Sequence, residues 1–159
     1  MNVRPHRYAA HVRWTGCASG PALDYATYSR EYVVEIDGKP PLRGSADVHF
    51  RGDRALHNPE DLLVAALSAC HLLSYLAECS RAGIAVVAYE DDAGGEMTLI
   101  DGKIRFREVM LRPRVAIADP ARIDEAVALH ERAHAECFIA NSVNFPVRHE
   151  ATVTSAQPA

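Results

Sequence analysis

The stretch from Asn58 to Gly83 constrains this chain more than any other. Asn58 is a helix-capping residue, Pro59 suits a first helical position, and Glu60 and Asp61 set negative charge against the free N–H groups of a first turn. From Leu62 onward the residues are rich in leucine and alanine with no single apolar stripe, which predicts a helix covered on most sides. Gly83, after Arg81-Ala82, stands where a left-handed C-terminal cap belongs. The uncharged part, Leu62 to Ala77, is shorter than the roughly 20 apolar residues that cross a bilayer. It also holds Ser68, His71, Ser74 and Tyr75, so it reads as a buried helix and not an anchor.

The elements around this helix predict α+β. Arg7 to Trp14 and Tyr28 to Ile36 read as strands, followed by the turn signal Asp37-Gly38 and a weaker strand from Leu42 to Val48. Arg51 to His57 is polar and reads as a loop. Past the helix come a strand from Ile84 to Glu90, a Gly94-Gly95 turn, Met97 to Ile100 and the hairpin turn Asp101-Gly102. A long strand then carries Ile104 to Ile117, its Pro113 suggesting an edge. Asp119-Pro120 opens a second helix running to about Glu136, and Val147 to Thr154 alternates as a last strand. No internal repeat or low-complexity segment interrupts what reads as one domain over residues 1–159.

Composition narrows the function classes. With 17 Lys+Arg against 21 Asp+Glu, the net charge of −4 argues against nucleic acid as the default partner. Met1 to Arg7 lacks the apolar core of a secretory signal, and four cysteines in 159 residues are too sparse for a disulfide-stapled scaffold. A reducing cytoplasm is the expected compartment, where a cysteine pair is more often catalytic or metal-binding than structural.

Cys70 sits midway along the long helix, and Cys137 follows the second helix in His134-Ala135-Glu136-Cys137-Phe138. A buried cysteine ordinarily packs as a small hydrophobe. An ordinary thiol is only a few per cent thiolate at pH 7, so a nucleophilic cysteine here needs a cation brought from elsewhere in the fold. Zinc competes for the same residues, because Cys70-His71 and His134-x-x-Cys137 supply four nominal ligands. Adjacent helical residues point about 100° apart, which makes that site awkward. Cys17 and Cys79 read as incidental. Glu60 is explained by first-turn helix charge. Ten residues of helix span about 15 Å, so Glu60 does not reach Cys70 of its own chain; if the two share a site, an antiparallel, two-fold-related copy of the helix crossing near Ala65 would bring them together.

Asn58-Pro59-Glu60-Asp61-Leu62-Leu63-x-Ala65-Ala66-x-x-Ala69-Cys70-His71, taken with Ala133-His134-x-x-Cys137-Phe138-x-x-Asn141-Ser142, resembles the OsmC/Ohr family of osmotically inducible and organic-hydroperoxide-resistance proteins. The resemblance extends over nearly the whole chain. It implies antiparallel sheets packed on a long central cysteine-bearing helix, an intertwined homodimer, and a thiol-dependent peroxidase with its site at the subunit interface. By motif, Cys70 is then the peroxidatic cysteine, Cys137 the resolving one, and Glu60 the carboxylate that orients a catalytic arginine. Position assigns that arginine to Arg30, with Arg51 and Arg54 in reserve. The implied substrate is an alkyl or lipid hydroperoxide and the implied reductant an external dithiol of the lipoyl-protein kind, with no metal, cofactor, nucleic acid or membrane. His71 and Phe138-Ile139-Ala140 depart from the Ohr pattern and bring the chain nearer the OsmC-like branch. The alternative is a non-catalytic redox-responsive or small-ligand-binding protein on the same fold.

Overall fold

The computed structural model describes residues 4–156, so Met1 to Val3 of the segment read for a leader lie outside it. The described residues fall into two compact units, divided between Leu62 and Leu63. In the first, β1 (His11–Trp14), β2 (Tyr32–Glu35) and β3 (Leu42–Gly44) form an antiparallel sheet in that order. The strands are shorter than their hydrophobic runs suggest. Beyond β3 the chain turns through a 3₁₀ segment, Val48–Phe50, which Asp47 caps by accepting from the His49 N–H at 2.8 Å. Arg51 follows in a left-handed conformation, φ 65°.

Helix α1 (Pro59–Ala82) starts and stops where its capping residues predict. The Asn58 side-chain oxygen accepts from the Asp61 N–H at 2.7 Å, and Gly83 takes φ 70°. The expectation that α1 is covered on most sides is not met within the chain. Leu67, His71, Tyr75, Glu78 and Cys79 are buried, while Ala65, Ala66, Ala69, Leu73 and Leu76 are exposed, Leu73 at 66%. Alanine and leucine on all sides hide which face packs, because periodicity is legible only where polar residues alternate with apolar ones. By length and composition alone α1 could cross a membrane. Its buried face nevertheless lies in the protein core.

The second unit adds β4 (Val86–Asp91), β5 (Gly94–Ile100), β6 (Lys103–Leu111), β7 (Pro113–Ile117), α2 (Ile123–Ala135), β8 (Val147–His149) and β9 (Thr152–Ser155). The single long strand expected from Ile104 to Ile117 is two strands in two sheets, ordered β5-β6-β8 and β4-β7-β9. Pro113 begins the central strand β7 and is not on an edge. A first strand residue is where proline's missing N–H does least harm. The last strand divides likewise at Glu150-Ala151.

Both sheets are mixed, which corrects the antiparallel expectation. After β7 the chain crosses over through α2, and β8 and β9 return parallel to β6 and β7. Tyr75 and Cys79 of α1, Val115 and Ile117 of β7, Leu129 and Ala133 of α2 and Val153 of β9 form one core cluster. Leu67, Val109 and Leu111 form another, flanked by Phe106 and Phe145.

Gly94-Gly95 is not a turn but the start of β5, paired with Met110 and Val109. A Cβ on Gly95 would stand 2.6 Å from Phe106 Cε1 and 2.9 Å from Val64 Cγ2, so glycine is there for close packing. Gly95→Ala is expected to cost about 1–3 kcal/mol, the usual range for overpacking, read as a lower midpoint in urea unfolding.

Candidate active site

The two sequence-predicted cysteines meet in the second unit. Cys70 is half-buried as the twelfth residue of α1, while Cys137 is 1% exposed in the turn after α2. Both are free thiols. That turn is built by its own sequence. The Cys137 N–H donates to the His134 carbonyl at 3.2 Å, and the Asn141 N–H to the Cys137 carbonyl at 3.0 Å. Asn141 Nδ2 donates to the Ala135 carbonyl at 2.8 Å and Ser142 Oγ to the Phe138 carbonyl at 2.7 Å. The polar pair Asn141-Ser142 thus ties down the loop that carries Cys137.

Burial, with the Cys70 thiol alongside, pushes the Cys137 thiol up to about 11. Cys137 is therefore a neutral thiol at pH 7, suited to a second step and not to opening attack. Phe138 is 77% exposed and Ile139 also lies at the surface, so the cysteine turn has an apolar outer side. Cys79 is packed in the core and its thiol is likewise raised by burial, while Cys17 is exposed near the N-terminal sheet.

Glu60 and Arg30 both line a cavity of about 340 Å³ in the first unit, walled by Trp14, Tyr28, Tyr32 and Phe50. They are not paired. The Arg30 guanidinium donates to the carbonyls of Tyr25 and Tyr28 and lies over the Tyr28 ring, 3.8 Å from its centroid. Glu60 Oε2 is buried with no hydrogen-bond partner among the described residues. The Tyr32 hydroxyl is raised by burial and then by the Glu60 charge. Of the reserve arginines, Arg51 donates to the Ala26 carbonyl at 3.3 Å. Arg54 lines a separate cavity of about 250 Å³ with Asp47, Asp53, Asn58 and Asp61.

The zinc set of Cys70, His71, His134 and Cys137 is not formed. Among the described residues no three His, Cys, Asp or Glu side chains are grouped as a metal site. Cys70 faces Cys137, whereas His71, with its Nε2 3.0 Å from His130 Nδ1, belongs to a buried cluster of histidines. Sequence reasoning missed that cluster. The signals were the inward placement of His71, His130 and His149 on their elements and the four-residue spacing of His130 and His134 along one helix.

Comparison with known proteins agrees with this architecture. The profile of the OsmC-like protein family matches residues 52–152. An OsmC-like protein of unknown function from Vibrio cholerae superposes with a TM-score of 0.85 at 32% identity, covering 93% of this chain and 100% of that one. An organic hydroperoxide resistance protein from Elizabethkingia anophelis superposes with a TM-score of 0.70 at 21% identity, covering 98% of this chain and 100% of that one. At that identity the likeness concerns the fold. The uncharacterized protein YmaD of Bacillus subtilis is 23% identical over 101 residues, 60% of this chain and 67% of its own length.

Proposed function

Since this chain belongs to the OsmC-like protein family, which includes organic hydroperoxide resistance proteins, we propose that it is a thiol peroxidase acting on organic hydroperoxides. The observation that carries this reading is the contact between a half-buried Cys70 and a buried, protonated Cys137. In the first step the Cys70 thiolate attacks the outer peroxide oxygen of ROOH. The O–O bond breaks, the alkoxide takes a proton and leaves as ROH, and Cys70 becomes a sulfenic acid. In the second, the Cys137 sulfur displaces the hydroxyl from Cys70, giving the Cys70–Cys137 disulfide and water. An external dithiol then reduces the disulfide by two successive exchanges and is itself oxidised. A lipoyl protein in the cytoplasm is the dithiol partner this reading expects.

In this scheme Arg30, with Glu60 as its positioning residue, stabilises the Cys70 thiolate of a second copy of the chain. The guanidinium must leave the Tyr25 and Tyr28 carbonyls for the open oxygen of Glu60. Two arguments favour a homodimer. Glu60 and Cys70 stand ten residues apart on one helix, and α1 has an uncovered face of Ala65, Ala69, Leu73 and Leu76 that a second α1 would bury. Glu60→Gln is expected to lower kcat/KM roughly 10- to 100-fold, the worth of one hydrogen bond to a charged group at about 1.5–3 kcal/mol. Glu60→Asp should recover part of that loss. Unchanged turnover in Glu60→Gln would remove Glu60 from the site. The reading as a whole is tested by reacting the reduced protein with one equivalent of cumene hydroperoxide. Rapid loss of two thiols, mapped to Cys70 and Cys137, supports it, and reaction no faster than free cysteine overturns it.

A further inference from the structure

The cavity of about 340 Å³ in the first unit is walled chiefly by the rings of Trp14, Tyr28, Tyr32 and Phe50. Two glycines let two of those rings sit directly against backbone. A Cβ on Gly16 would collide with Trp14 Nε1, and that nitrogen donates to the Ser29 carbonyl at 2.8 Å. A Cβ on Gly44 would collide with Tyr32 Cζ. Both rings are thus held in place before a ligand arrives, which lowers the entropic cost of binding. At this volume the cavity stands at the small end of ligand sites, with room for one ring and a short chain.

The charged groups on these walls are unequally engaged. The Arg30 guanidinium is held by the Tyr25 and Tyr28 carbonyls and lies over the Tyr28 ring. Asp47 accepts from the His49 N–H at 2.8 Å and from the Asn58 amide at 3.4 Å, and the His49 ring stands against it at 2.6 Å. Glu60 has no such partner. Its Oε2 is buried and without a hydrogen bond among the described residues. The first turn of α1 favours negative charge at this position. The cavity therefore faces one open carboxylate set among rings. The stack of Arg30 on Tyr28 already shows these walls taking a cation on a ring face.

We propose that this cavity binds a small primary arylalkylammonium ion. Its N–H groups donate to Glu60 Oε2, and its ring and chain lie against Trp14, Tyr32 and Phe50. One carboxylate among rings offers a metal ion too few oxygens. A carboxylate ligand of the same shape brings a second negative charge against Glu60. The binding is independent of the peroxidase reading. Only its consequence rests on that reading: a bound ammonium takes the oxygen that Arg30 must reach, and so inhibits turnover.

The test is titration of Cys70→Ser/Cys137→Ser protein, whose thiol pair takes no part, with phenethylammonium, 2-phenylethanol and 3-phenylpropionate at neutral pH. Trp14 is the only tryptophan in the chain, so its emission reports occupancy of this cavity. The expected result is a saturable change with phenethylammonium. The alcohol should bind roughly 10- to 100-fold more weakly, the worth of one hydrogen bond to a charged group, and the carboxylate more weakly still. Glu60→Gln should bring the amine down to the affinity of the alcohol and leave the alcohol where it was. A fold defect would weaken both alike. Phe50→Ala, at the rim of the cavity, should weaken both ligands about tenfold. No saturation at millimolar amine, equal affinity for amine and alcohol, or a preference for the amine that survives Glu60→Gln would each overturn the proposal. Where Glu60→Gln fails to fold, Phe50→Ala carries the test, and unchanged affinity in it is equally fatal.

Discussion

Cys70→Ser is expected to abolish hydroperoxide turnover, at least about a thousandfold, equivalent to about 4 kcal/mol of lost barrier reduction. Serine at this position has no thiolate to attack the O–O bond. Cys137→Ser should behave differently. The first equivalent of peroxide is still consumed, but Cys70 then stops at the sulfenic acid and advances to sulfinic acid with excess peroxide. Intact-mass spectrometry separates the two outcomes by the oxygen atoms gained. Because burial and Cys70 hold the Cys137 thiol near 11, disulfide formation in the wild type should also quicken with pH. Where deprotonation of Cys137 limits the step, the rise approaches tenfold per unit between pH 7 and 9. Full turnover in Cys70→Ser, or a second step indifferent to pH, would undo the division of labour between the cysteines.

The second large effect is on stability in acid. His71 is pushed down to about 4 and His130 to about 3, first by burial and then by neighbouring histidines. His149 and His134 face His71, with Asp91 opposing the shift. His71 and His149 face His130. Unfolded histidines titrate near 6.5, so below that pH the unfolded chain binds protons the folded chain refuses. Stability therefore falls as pH drops from about 6.5 towards 4, by up to about 1.4 kcal/mol per unit for each histidine. The protein should therefore lose stability in mild acid, and His130→Phe, which keeps a ring against Tyr75, should flatten the pH dependence by about one histidine's share. Urea midpoints measured from pH 7 to 4.5 give the slopes. Equal slopes in wild type and His130→Phe would mean that another group takes up the protons.

Much of this protein was readable before any tertiary information. Local rules sufficed for α1, because Asn58, Pro59 and Gly83 act on backbone groups within a turn of themselves. They sufficed for the Asp101-Gly102 hairpin, whose φ angles of 51° and 74° follow from residues that tolerate that region. The inward alternation of Val147, His149, Ala151 and Val153 also survived the division of their strand in two, because side-chain direction follows the pleat and not the partner.

Tertiary structure alone decided how those pieces combine. The division of residues 104–117 between two sheets, and the parallel return of β8 and β9, depend on where α2 carries the chain. The packing face of α1 depends on what lies against it, since leucine and alanine accept burial on any side. Gly94-Gly95 is strand because it pairs with Met110 and Val109 of β6, and Phe106 and Val64 leave no room for a Cβ at Gly95. The two cysteines and four histidines were visible as residues, yet the thiol pair and the imidazole cluster exist only through contacts between distant segments. Capping and turn formation are paid for locally, whereas reactivity and ligation need groups to converge, and convergence is a property of the packed fold.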